Sequence, residues 1–189
     1  MFYAPDILDT FFTEDQAIAG TFALNAINFL STFVTLYTVD KFGRVKLLLT
    51  GGVLMLVTLV LNGIMSSLDQ TKTVGWLVLI FAALYIVGFA VSWGPVVWSL
   101  CAEIFPYRTR GKSTGLTTMM NWMATTIVGA IFPMASTASL TGCFFFFAVA
   151  ITIGMLIVYF FQIETAGKTS KQIDEAYANH KPKLIRTVW

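Results

Sequence analysis

Four stretches of this chain contain no charged residue, and each is long enough to cross a membrane: 16–39, 47–67, 73–102 and 113–163. A spanning helix needs about 20 mostly apolar residues to traverse the hydrocarbon core. Inside that core the backbone must satisfy its own hydrogen bonds, which a helix does. The last stretch is too long for one crossing. It divides near 135–142, where Ser136, Thr137, Ser139, Thr141 and Gly142 cluster. The chain therefore reads as all-α and transmembrane. Five spans are expected at about 16–39, 47–68, 74–102, 113–135 and 140–162, within a membrane region 13–163. Residues 1–12 precede it and a polar tail, 164–189, follows. A helical bundle in water would need polar outer faces that these windows lack. Composition agrees, since 57% of residues are apolar and 12% charged, against about a quarter charged in soluble domains.

Basic residues mark the cytoplasmic side of a membrane protein. Lys41, Arg44 and Lys46 follow the first span, and Arg108, Arg110 and Lys112 follow the third. Lys168, Lys171, Lys181, Lys183 and Arg186 follow the fifth, while the opposite side holds only Lys72. Alternation across five spans thus predicts a cytoplasmic C-terminus in a multi-pass protein, expected in the plasma membrane. The tail over 170–177 reads as a short amphipathic helix lying at that surface.

Several function classes are excluded early. Cys101 and Cys143 sit inside apolar runs and read as packed thiols, and His180 has no ligand company. There is no clustered set of carboxylates, no metal-ligand spacing and no basic patch with interleaved aromatics for nucleic acid. An enzyme is not expected, and no cofactor is implied.

The polar groups inside the spans are mostly amides: Asn25, Asn28, Asn62, Asn121 and Gln162. Any one of them can serve as glue between helices. Asn121 and Trp122 differ in standing side by side, an amide next to a flat apolar ring. Sugars need both, because hydroxyls take donor-and-acceptor partners and C–H faces stack on aromatics. Asn28 and Trp98 offer the same chemistry from other spans. Gly94-Pro95, between Trp93 and Trp98, removes a backbone donor and is expected to loosen the third span. Gly51-Gly52 would let another helix approach closely. Near the cytoplasmic ends, Asp40, Arg44, Glu103 and Arg110 are expected to form an ion-pair network, with Arg44 and Arg110 both able to engage Glu103.

These residues resemble the sugar porter family of the major facilitator superfamily. Asp40-Lys41-Phe42-Gly43-Arg44 is similar to its loop between helices eight and nine. Trp93 to Trp98, Ala102 to Pro106 and Arg108 to Lys112 resemble its helix-ten signature. Asn121-Trp122 matches a pair in helix eleven, and Glu164-Thr165-Ala166-Gly167-Lys168 resembles its Pro-Glu-Thr-Lys-Gly motif after helix twelve. The family pattern is broken at Val45 (an Arg in the family), Ile163 (a Pro) and Ala90 (a carboxylate). The resemblance implies a partial C-terminal six-helix bundle, from the end of helix seven to helix twelve. It implies Asn28, Trp98, Asn121 and Trp122 as sugar contacts, Tyr3 as a gate residue and Phe89 as a further lining residue. The function implied is transport of a monosaccharide (a hexose) by alternating access, as facilitator or proton symporter, with a proton as co-substrate in the second case. Since the substrate of such proteins lies between two halves, the chain is expected to be a fragment lacking the N-terminal half and unable to transport alone. A half-sized membrane partner protein is the alternative, and an ion channel or pump subunit a third reading.

Overall fold

The computed structural model describes residues 4–69 and 71–178, and within them every regular element is a helix. In chain order these are α1 (Ala4–Asp9), α2 (Glu14–Phe42), α3 (Arg44–Ser66), α4 (Lys72–Val91), α5 (Trp93–Ile104), α6 (Arg110–Ala138), α7 (Leu140–Phe161) and α8 (Ser170–Ala178). Helix ends have local causes. Glu14 and Asp15 occupy the first turn of α2, where acidic groups meet the positive end of the helix dipole. Thr71 accepts from Val74 N at 3.3 Å to start α4, and Ser139 accepts from Gly142 N at 3.0 Å to start α7. Each is an N-cap that satisfies one orphan donor. Between α2 and α3 a single residue, Gly43, makes the turn with φ 87° and ψ 160°, a region essentially restricted to glycine.

Four helical segments are long and apolar enough to cross a membrane: Glu14–Phe42, Arg44–Ser66, Lys72–Ile104 and Leu140–Phe161. The expected fifth, α6, runs 29 residues, about 43 Å at helical rise. It is less apolar than the others because Thr and Ser recur along it with Asn121, several hydroxyls bonding back to the carbonyl four residues earlier. Length alone therefore suits it to a crossing, and its apolarity does not.

The break in the third span lies slightly ahead of the expected Gly94-Pro95. Ser92 is the non-helical residue, at φ −127° and ψ −86°, while Gly94 and Pro95 sit in the first turn of α5. Proline disturbs the turn before it: its ring meets the carbonyl four residues back, here Val91, and it cannot donate to that oxygen. At the third position of a new helix the missing donor costs nothing, because no intrahelical acceptor exists there. Ser92 is fully buried, and its Oγ donates to Gly88 O at 2.6 Å.

Helix α3 is the centre of the bundle, packed chiefly against α7 and α4. Gly51 makes the second contact possible, since a Cβ there would overlap Ser92 Oγ. Close by, Trp93 Nε1 donates to Leu48 O at 2.9 Å, pinning the start of α5 to α3. One apolar cluster, Leu47, Leu48, Val96, Leu100 and Val158, joins α3, α5 and α7. Another, Leu8, Ala17, Leu24 and Ile86, joins α1, α2 and α4. Helix α6 stands apart. It touches α7 and, more lightly, α5, and none of its residues is buried.

Candidate functional site: a central cavity and an ion-paired helix end

Two sets of polar residues are positioned by this packing. The first gathers where α2 ends, α3 begins, α5 ends and the segment after α7 returns. Arg44 Nη2 and Nε both reach Glu103 Oε1, at 2.9 and 3.3 Å, and Nη1 reaches Asp40 Oδ1 at 3.1 Å. Thr165 Oγ1 donates to the second carboxylate oxygen of Glu103, at 2.5 Å. Glu164 accepts from the backbone N–H groups of Arg44 and Val45 at 2.8 and 3.1 Å. A carboxylate on two free N–H groups at a helix start is favoured by both hydrogen bonding and the helix dipole. The same carboxylate covers Gly43, where a Cβ would lie 2.6 Å from Glu164 Oε2.

Arg110 does not join this network, contrary to the sequence expectation. Its Nε donates to Phe105 O at 3.2 Å instead. The extended backbone at Phe105 leads the chain away before Arg110 opens α6. The sequence reading treated Glu164 and Thr165 as a motif in the tail and did not place them in the network. Their partners lie 62 to 120 residues away in the chain, a distance at which no local pattern signals contact.

The second set lines a cavity of about 490 Å³ bounded by α1, α2, α3, α4, α6 and α7, within the roughly 300–1,000 Å³ of ordinary small-molecule sites. Its polar lining comes from Asn62, Tyr85, Asn121 and Thr125, set among Phe132, Phe144 and Phe147. Of the expected sugar-contacting residues, Asn121 alone belongs to this lining. Trp122 lies about 100° further round the helix and is 63% exposed. Phe89 and Trp98 are also exposed, and Asn28 is half-buried on α2. These four lie outside the cavity wall. Tyr3 lies outside the described residues. The structure adds Asn62 and Tyr85, of which the sequence signalled only Asn62, as one intramembrane amide among several.

An all-helical bundle with long apolar helices, a solute-sized open cavity and an ion-paired cluster at one end has the form of a multi-pass membrane transport protein. Comparison with known proteins sharpens this. The family described as Sugar (and other) transporter matches residues 1–177. Similar relatives include a glucose transporter, GlcP, of Staphylococcus epidermidis, 35% identical over 162 residues, which are 85% of this chain and 36% of that protein. Sugar transport protein 8 of Arabidopsis thaliana is 38% identical over 174 residues, 88% of this chain and 34% of that protein. Among solved structures, a double-tryptophan variant of XylE superposes with a TM-score of 0.84 at 30% identity, over 93% of this chain and 38% of that one. A D-xylose-proton symporter superposes at 0.77 and 31% identity, over 88% of this chain and 39% of that one. This chain belongs to the sugar transporter family of the major facilitator superfamily. It spans a little over a third of the length of these relatives.

Proposed function

We propose that this chain forms part of the pathway of a monosaccharide transporter that works by alternating access. The carrying observation is the family match over residues 1–177, together with superposition at TM-score 0.84 on a xylose transporter with 30% identity. The activity is transport, not catalysis. Within that reading the chain corresponds to the C-terminal part of the family, from the end of helix seven to helix twelve. The order of its motifs supports this placement: Asp40–Arg44, Trp93–Trp98, Asn121-Trp122 and then Glu164-Thr165.

The proposed division is 1–12 before the bundle, 13–163 as five crossings including α6, and 164–189 as a cytoplasmic tail in a plasma-membrane protein. Asn121 offers its amide to sugar hydroxyls from the cavity wall. Asn28, Trp98 and Trp122, with Phe89 and Tyr3, are assigned to the surface that this half turns toward the pathway. The exposure of Trp98, Trp122 and Phe89 supports this, since the pathway of such transporters lies between two halves. Asp40, Arg44, Glu103, Glu164 and Thr165 form the cytoplasmic latch. The ion pairs hold the ends of α2, α3 and α5 to the segment after α7 while the outer side is open, and their separation accompanies inward opening. The apolar outer surface faces the lipid bilayer. The spans carry no acid at mid-depth, so a proton co-substrate, if this is a symporter, is bound by groups elsewhere.

Reconstitution of the full-length protein in liposomes tests this. Saturable uptake of labelled glucose or xylose is expected, reduced at least tenfold by Asn121→Ala. Uptake of neither sugar above protein-free vesicles would remove the proposal.

A further inference from the structure

The joint between α4 and α5 is held from three neighbouring helices. Ser92 leaves the helix, and a Cβ on Gly51 of α3 would overlap its hydroxyl. On the α4 side, Thr35 of α2 is 4% exposed, and its Oγ1 donates to Ala90 O at 2.8 Å. In an unbroken helix that oxygen would take the N–H four residues on, which is that of Gly94. A hydroxyl from another helix therefore serves a carbonyl at the break. On the α5 side, the Trp93 indole lies in a slot between α3 and α7 that glycines leave open. A Cβ on Gly52 would stand 3.1 Å from Nε1, and one on Gly154 would stand 2.9 Å from Cη2. At the α3 wall Nε1 donates to Leu48 O at 2.9 Å.

Trp93 begins one face of α5. Residues three and seven positions further on share that face, and these are Val96 and Leu100, both buried with Leu47, Leu48 and Val158. Trp98 is five positions on, about 140° further round, and is 42% exposed. Apolar packing has no preferred direction, whereas a hydrogen bond weakens steeply as its angle departs from linear. Among the three side chains of the buried face, only that of Trp93 carries a donor. Its bond constrains the rotation of α5 as well as the distance to α3.

We propose that Trp93 is a positioning residue for transport: seated between Gly52 and Gly154 and tied to Leu48 O, it sets the rotation of α5 and so keeps Trp98 turned toward the pathway. The proposal rests on the transport reading and adds to it a residue outside the expected contact set. Thr35 holds the other side of the joint, so that α4 does not carry α5 round with it.

The full-length protein in liposomes tests this with Trp93→Phe, which loses the donor, and Gly154→Ala, which narrows the slot. Rotation is read by labelling with a membrane-impermeant maleimide. Every native cysteine, Cys101 and Cys143 included, is replaced by Ser, and Trp98→Cys or Val97→Cys supplies the reporter, Val97 being the half-buried neighbour. The labelling ratio of position 98 to position 97 should fall about threefold in each slot variant, the sign of a helix turned through part of the 100° between successive residues. With Trp98 intact, KM for uptake of glucose or xylose should rise about fivefold at a nearly unchanged maximal rate, since a weakened stacking contact is a loss of binding. Gly63→Ala sets a Cβ 3.2 Å from the Phe145 ring, elsewhere on the contact of α3 with α7, and should leave the ratio unchanged. An unchanged ratio in both slot variants overturns the proposal, as does a lowered ratio with an unaltered KM, and the transport reading stands in either case. A ratio lowered equally by G63A would reduce Trp93 to general packing and overturn it too. If wild type takes up neither sugar, the transport reading falls and the proposal with it. Where one slot variant does not fold, the other decides.

Discussion

At the scale of single residues, Arg44 carries more of the structure than its charge suggests. Its side chain is 14% exposed and that of Glu103 is 28% exposed, so the pair lies in a partly desolvated setting. Removing one member of such a pair leaves the other without compensation, which is costlier than losing an exposed bridge. Asp40, whose side chain is 77% exposed, contributes little beside it. Glu103→Gln is therefore expected to destabilise the protein by about 2 kcal/mol, and Asp40→Asn by less than about 0.5 kcal/mol. Thermal unfolding in detergent micelles separates the two. Equal midpoints for both variants would contradict the assignment of Glu103 as the principal partner. The sequence allowed Arg44 and Arg110 equally as partners of Glu103. In the structure Arg44 makes this contact, while Arg110 donates to Phe105 O.

At the scale of elements, the tail helix α8 shows how a polar segment is fastened to an apolar bundle. Ile173 is buried, α8 packs on α5, and Tyr177 OH donates to Gln162 Oε1 at 2.8 Å. Burial pushes the Tyr177 phenol above its ordinary value of 10.0, an effect partly opposed by its hydrogen bond with the Ile163 backbone. A raised acid in the folded state binds its proton more tightly than in the unfolded state. The stability this contributes is complete below pH 10 and is lost as pH rises through the raised value. Docking of α8 is thus expected to weaken in the alkaline range above pH 10. Limited proteolysis across that range should show cleavage near α8 rising in wild type. In Tyr177→Phe it should already be higher at neutral pH and change less. A flat wild-type profile would argue against the contact. The joint between α4 and α5 belongs to the same scale. Proline was legible as a disturbance, but the residue that leaves the helix is Ser92, because the clash acts one turn ahead of the ring.

For the molecule as a whole, the bundle is unevenly packed. Helix α3 has eight buried residues, including Leu48, Met55 and Asn62, and α6 has none. Large apolar side chains such as Met119, Trp122, Ile131 and Met134 on α6, with Phe22, Phe29 and Tyr37 on α2, are exposed. A patch of this size on a soluble domain would signal a partner or a membrane. Here we propose that the outer surface meets lipid and that the side holding Trp122 meets the pathway. Local stability follows local burial. Hydrogen exchange in nanodiscs should find the amides of α3 the slowest in the chain and those of α6 faster by at least tenfold. Equal protection of the two helices would mean that α6 is held by contacts beyond those of this bundle.

The one-dimensional record of charge and apolarity was enough to determine that the chain is helical, membrane-embedded and multi-pass. In hydrocarbon that record leaves the backbone only one way to satisfy itself. The helices run up to three residues past the uncharged windows, and the third window is broken at Ser92. Tertiary structure alone decided which polar groups meet. Asn62 and Asn121, 59 positions apart in the sequence, share a cavity wall, while Asn121 and Trp122, adjacent in sequence, face different ways. Glu164 closes over the start of α3, and Arg110 turns away from Glu103. Sequence fixes which residues are neighbours along a helix, but the azimuth of each helix is set by packing. That azimuth decides whether a buried amide faces a partner, a ligand or lipid.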